Sequence, residues 1–299
     1  MREPDWDDLR LFLAVARTES LSAAGKSLKL DPATVGRRIA RLEESLGAPL
    51  FAKSPQGYAL SEAGQRLMTH AEAAELAVQG GIDELSQGTG GLTGQIRIGA
   101  PDGCANYLLP QVCAAILDAN PGLEIQIVAL PRVFNLSRRE ADLAIAVSPP
   151  ATGRLSVQKI ADYRLHLAAS REYLDRHGAP PDLTALKGRR IIGYIPDMIF
   201  DRELDYLAEI GADVVPLASN SVSVQFNWVR TGAGIAIVHD FAIPSARGVE
   251  RILAETFALS RAFWLIRHAD DRRVDRMNRF AQVLVQGLRA EIARLESLA

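Results

Sequence analysis

The chain has 299 residues, a formal net charge of −2, and 48% hydrophobic and 23% charged residues, a composition that fits a well-cored globular protein of roughly two domains. No apolar run approaches the roughly 20 residues that span a membrane. The early run Leu11–Ala16 follows Asp5, Asp7 and Asp8 in place of Lys or Arg, the reverse of a secretory signal, so a cytoplasmic protein is expected.

Leu9, Phe12, Leu13 and Ala16 recur at i, i+3, i+4 and i+7 and predict a first helix over 7–17. A short second helix carries Leu21, Ala24 and Leu28 on one side. Its small residues, Ser22 to Gly25, admit a close neighbour. Asp31-Pro32 starts a third helix: the Asp side chain caps free N–H groups, and Pro suits the first turn, where no N–H donor is needed. Within that helix Val35, Ile39, Leu42 and Leu46 form the apolar stripe. Thr34, Arg37 and Arg41 project from the other side, with Arg38 flanking them. Gly47 ends it.

Leu50-Phe51 and Tyr58–Leu60 read as two short strands around a turn at 54–57, a small wing behind the helices. A long helix follows from Ser61 to about Leu85. Its seam of Leu67, Ala71, Ala74, Val78, Ile82 and Leu85 suits pairing with another helix more than lying on a globular core. GTGGLTG (88–94) is a flexible joint. Beyond it, strand-like and helix-like segments alternate: QIRIGA, a helix near 108–117, LEIQIVAL and DLAIAV, then RLHLAAS, a helix from Glu172, RIIGYI, a helix near 226–229, GIAIV and FWLIRH, with a closing helix from Val274. Such alternation predicts an α/β domain of largely parallel sheet. Two similar halves imply a cleft where strand C-terminal ends converge.

Two short helices followed by one bearing arginines match a helix-turn-helix, whose last helix enters the major groove. Basic residues outnumber acids only locally over 22–66, so on charge alone the arginines read equally well as a solvated helix face. The pattern AA..L, then V.R.I..LE..LG.PLF, then LSEAG closing at Gly64, resembles the winged helix-turn-helix of LysR-type transcriptional regulators. The resemblance continues through the linker helix and the two-lobed remainder. It implies an α/β protein overall: a mainly α winged helix-turn-helix at 4–64, a linker and dimerisation helix with its joint at 65–91, and a two-lobed effector-binding domain of periplasmic-binding-protein type at 92–299. Lobe 1 would comprise about 92–162 and 266–299, and lobe 2 about 163–265. The implied partners are double-stranded promoter DNA, a small-molecule effector, a second copy of the chain in a homodimer or homotetramer, and RNA polymerase. No cofactor, metal, membrane or catalytic activity is implied.

Where the family usually has Ser-Gln, this chain has Asp31-Pro32, and Gly36 stands where serine is common. Base reading is therefore expected from Thr34, Arg37 and Arg38, with Arg41 on the same helix and Ser22, Lys53 and Gln56 on phosphate or sugar. Packing within the domain is the other reading of Thr34. In the effector half the resemblance points to Pro101, Asp102 and Gly103; Leu130 and Arg132; Val147 and Ser148; Ile195 and Pro196; Asn220 and Ser221; and His239. Asp102 disfavours an acidic effector, because its carboxylate competes for the same N–H donors; a plain helix cap is its alternative reading. His239-Asp240 reads as a structural or loop-lining pair and Gly232-Ala-Gly234 as a turn. Cys104 and Cys113, the two cysteines, lack partners at metal-ligand spacing. The alternatives are a thiol-based redox-sensing regulator centred on Cys104 and a solute-binding protein.

Overall fold

The computed structural model describes residues 5–54, 57–86, 91–129, 141–150, 155–211, 215–269, 271 and 274–299. They form two compact units, Met1–Thr89 with Arg273–Arg276, and Gly90–Arg272 with Met277–Ala299.

In the first unit, helices α1 (Trp6–Thr18), α2 (Leu21–Leu28) and α3 (Pro32–Leu46) start at Asp5, Ser20 and Asp31. Each of those side chains accepts a hydrogen bond from a first-turn amide. Phe12, Val15, Ala24, Val35, Ile39 and Leu42 make a closed core, as the helical stripes predicted. The tripeptide turn between α2 and α3 is so tight that a β-carbon at Gly25 would lie 2.6 Å from the Leu30 carbonyl oxygen.

The wing is the antiparallel pair β1 (Phe51–Ser54) and β2 (Gly57–Leu60), with Phe51 opposite Leu60. Two side chains account for the residues that flank it. Glu43 reaches from α3 to accept the amides of Leu50 and Phe51 at 2.7 and 3.1 Å. Ser61 donates to the Pro49 carbonyl and accepts the Gly64 amide, capping α4 (Glu62–Ser86). Gly64 has no alternative there, since a β-carbon would lie 2.1 Å from the Leu50 carbonyl oxygen.

The seam of α4 divides differently from expectation. Leu67, Met68 and Ala71 pack on the unit's own core, and Arg17 of α1 grips Glu75 through two guanidinium nitrogens. Val78 is 58% exposed. The side chains of Ile82 and Leu85 lie outside the described residues.

The second unit carries one sheet that, among the described residues, has nine strands. β3 (Gly94–Ala100), β4 (Leu123–Ala129) and β5 (Leu143–Ala146) are parallel neighbours in its first half. β7 (Ile191–Gly193), β8 (Leu217–Ala218) and β9 (Ile235–His239) are parallel neighbours in its second. Between them run β6 (Leu155–Ser170) and β11 (Leu259–His268), antiparallel to each other and long enough to belong to both halves. β10 (Val249–Arg251) pairs with the far end of β6. The pairing of β6 with β11 shifts register between Phe263 and Trp264, and there the sheet passes from one half to the other. The expected parallel strands are therefore present in each half, but two antiparallel crossing strands join them into one sheet.

Helices α5 (Asp102–Tyr107) and α6 (Leu109–Ala119) follow β3, where one helix near 108–117 was expected. The break falls at Leu108, just before Leu109-Pro110. α7 (Arg171–His177) follows β6, α8 (Val222–Arg230) precedes β9, and α9 (Asp275–Glu296) closes the chain. α9 lays Phe280, Leu284, Leu288 and Ile292 inward. A β-carbon at Gly287 would lie 2.7 Å from Val112 of α6, which keeps the two helices in close contact.

Candidate nucleic-acid interface and effector cleft

On α3 the three arginines separate into two kinds. Asp8 of α1 is buried, its side chain 2% exposed, and it accepts Arg38 Nε at 2.6 Å and Arg41 Nε at 2.9 Å. The Asp8 bond and charge raise the Arg41 pKa. Arg38 and Arg41 therefore fasten α3 to α1 before they can serve a phosphate, which narrows the expected arginine face. Arg37 is exposed and, among the described residues, forms no ion pair. Ser22 is exposed on α2.

Thr34 is half-buried, and its hydroxyl and amide hydrogen-bond the Asp31 carboxylate, holding it below the usual carboxylate range. Thr34 thus completes the helix cap, a role intermediate between base contact and internal packing. Gln56 and the side chain of Lys53 lie outside the described residues. Asp8 was not singled out in the sequence; its only signal was an acid at the start of an otherwise regular helix.

In the second unit a pocket opens at the C-terminal ends of the parallel strands. Pro101, Asp102 and Gly103 come from the end of β3, Val147 from the end of β5, Asn220 from the segment after β8, and His239 from the end of β9. Six of the expected effector residues therefore meet in one place. Tyr194, Phe200, Leu204, Val222 and Phe263 also line it, and these were missed. They are apolar or aromatic residues scattered over strand, turn and helix, which read as ordinary core, so the sequence offered no signal to separate them.

Ser148 and Ser221 do not line the pocket. Ser148 Oγ donates to Asp201 Oδ2, and Ser221 Oγ donates to Asp102 Oδ2 at 3.0 Å. Ile195 and Pro196 begin a short turn next to Tyr194 but do not line the pocket. Leu130 and Arg132 lie outside the described residues.

The pocket interior is apolar and aromatic. His239 is packed between Tyr163 and Phe241, with ring centroids 5.3 and 4.8 Å away. Burial lowers its pKa to about 4, against the opposing pull of the Asp102 charge, so the ring is neutral at pH 7. Tyr163 stacks on Phe263 at 4.2 Å, beside the register shift. Asp240 faces away from the pocket, bonding His166 Nδ1 at 2.8 Å and Arg251 at 3.3 Å. The adjacent pair His239-Asp240 is thus split between cleft and structural network.

With this geometry in place, two family descriptions match nearly the whole chain: "Bacterial regulatory helix-turn-helix protein, lysR family" over residues 6–65, and "LysR substrate binding domain" over residues 89–289. The chain belongs to the LysR family. As a LysR-type transcriptional regulator it is 29% identical over 246 residues to the HTH-type transcriptional regulator DmlR of Escherichia coli, covering 78% of each chain. It is 27% identical over 262 residues to the Mau operon transcriptional activator of Paracoccus denitrificans, covering 88% of this chain and 89% of that one. Among solved structures, a full-length OxyR variant from Pseudomonas aeruginosa shares the fold with a TM-score of 0.72 at 18% identity, over 97% of this chain and 96% of that one.

Within this LysR chain the two thiols are buried. Cys104 lines the pocket and is fully enclosed, which pushes its pKa well up, and burial pushes Cys113 up to about 11. Few thiolates exist at neutral pH under those conditions. This chemistry favours packing over redox sensing. Among the described residues no group of His, Cys, Asp and Glu is placed to hold a metal ion, and no helix is long and apolar enough to cross a membrane.

Proposed function

We propose that the winged unit, taken as residues 4–64, binds promoter DNA through the outer face of α3, that α4 and its joint (65–91) pair two copies of the chain, and that residues 92–299 bind a small effector in the pocket at the strand ends. Arg37 is the principal α3 contact, with Ser22, Lys53 and Gln56 on the backbone. Arg38 and Arg41 hold the recognition helix at its angle through Asp8. The observation that carries this reading is the exposed Arg37 on a helix whose other two arginines are already engaged. Exposed Val78 on α4 supports pairing of the linker helices in a dimer or tetramer. Promoter DNA, an effector, further copies of the chain and RNA polymerase make up the partner set, and no catalytic step is assigned.

The test is a gel-shift titration against the duplex flanking the protein's own gene at several salt concentrations. Arg37→Ala is expected to weaken binding and to reduce the salt slope by about 0.9, the value of one lost phosphate contact. Unchanged affinity with an unchanged slope would remove Arg37 from the interface.

A further inference from the structure

Asp102 is the first residue of α5, and no side chain caps that helix. Its carboxylate serves a different helix. Oδ2 accepts the backbone amide of Ser223 at 2.8 Å and the hydroxyl of Ser221 at 3.0 Å. Ser221 is the N-cap of α8, and Ser223 lies in its first turn. The bond is long-range in the fold as well as in the chain, for α5 follows β3 in one half of the sheet and α8 precedes β9 in the other. Asn106 donates to Asp102 Oδ1 at 3.1 Å, fixing the carboxylate's orientation.

The surrounding contacts are built for close approach. A β-carbon at Gly103 would lie 3.0 Å from Val222 of α8, and Tyr107 of α5 sets its ring edge-on to Phe226 of α8, with centroids 5.6 Å apart. A second bridge crosses the same cleft in the opposite sense, where Ser148 after β5 donates to Asp201, a carboxylate of the second half.

We infer that Asp102 is a resident anion that latches the two halves of the effector domain together, occupying the position at the start of α8 where an acidic ligand group would otherwise bind. A helix start attracts one negative charge through its free amides and dipole. Here that charge belongs to the protein, so the cleft closes without a ligand and rejects anionic effectors. With its neutral His239 and aromatic walls it selects an uncharged molecule. The statement on ligand charge rests on reading the pocket as the effector site. The latch does not, and its test reads stability and local opening, which remain informative even if DNA binding fails.

The experiment uses the full chain and the variants Asp102→Ala and Asp102→Leu. Asp102→Ala is expected to lower the melting temperature of the effector domain by about 3–10 °C. Sodium formate at 100 mM should restore at least half of that loss, whereas sodium chloride at equal ionic strength should not, and the wild type should respond equally to both salts. Hydrogen exchange provides the local readout. The Ser223 amide should exchange about 10- to 100-fold faster in both variants, with the loss of protection confined to the facing turns of α5 and α8.

An Asp102→Ala protein that melts like the wild type, or whose loss formate does not reverse, overturns the proposal. If alanine prevents folding, the Asp102→Leu protein, similar in size and without an acceptor, decides through exchange, and wild-type protection at Ser223 in that variant overturns the latch.

Discussion

Asp8→Ala tests how the recognition helix is held. The Asp8 side chain is 2% exposed, and the two guanidinium groups it meets are 22% exposed at Arg38 and 56% exposed at Arg41. Only the Arg38 arm is counted, because screening removes most of the gain from an arm standing in water. A hydrogen bond to a charged partner contributes about 1.5–3 kcal/mol. Arg38 keeps some solvent after the change, and Asp7, 3.8 Å from its guanidinium, retains part of the interaction. The loss therefore stays below the roughly 3–5 kcal/mol of a fully buried broken pair. About 2 kcal/mol is expected, or roughly 8–16 °C on the melting of a unit this size.

Thermal melting of the full chain followed by circular dichroism measures it, with Arg37→Ala as the contrasting variant. Asp8→Ala should lower the transition of the first unit. Arg37→Ala should leave that transition in place while weakening DNA binding. Two guanidinium groups are also released by Asp8→Ala, so in conditions where the variant is folded its DNA binding should show a steeper salt slope. Melting within about 2 °C of the wild type would refute the reasoning, since an engaged carboxylate with two charged partners would then contribute almost nothing.

His239 makes the effector domain sensitive to acid. Its pKa is about 4 in the folded chain against 6.5 for an ordinary histidine, so the unfolded state binds more protons between those values. The neutral-ring stability is fully present above pH 6.5 and is lost as pH falls toward 4, by up to about 3 kcal/mol. Urea midpoints of the second unit should fall between pH 7.5 and 5, and His239→Gln should flatten that trend; an equal slope in the variant would assign the acid sensitivity elsewhere. Burial of Cys104 and Cys113 implies that neither thiol reacts with Ellman's reagent at pH 8 in the native chain and that both do so in urea. Prompt labelling of either native thiol would instead favour a redox role.

Much of the first unit follows from local sequence. Helical stripes, capping residues and the glycine that closes the third helix are short-range signals, each acting within a turn or two of its own position. The motif residues Glu43, Ser61 and Gly64 were legible as a pattern, but their reasons are spatial: amides to be satisfied at 50 and 51, and a carbonyl that leaves no room for a β-carbon. Strand and helix alternation likewise announced the α/β unit and placed the cleft at the strand ends. It did not reveal that β6 and β11 run through both halves, since strand length and register depend on pairing partners.

Tertiary structure alone decided which charged groups are engaged. Asp8 lies 30 residues before Arg38, and Asp102 lies 119 and 121 residues before Ser221 and Ser223. Periodicity places a side chain on the face of its own element, but it carries no record of what another element brings to that face. Hence the sequence determined where the helices, the wing and the strand ends would lie. Folding determined that two of three arginines would anchor a helix and that an aspartate would cross the cleft, because burial makes a charge seek whichever partner the chain's long-range packing delivers.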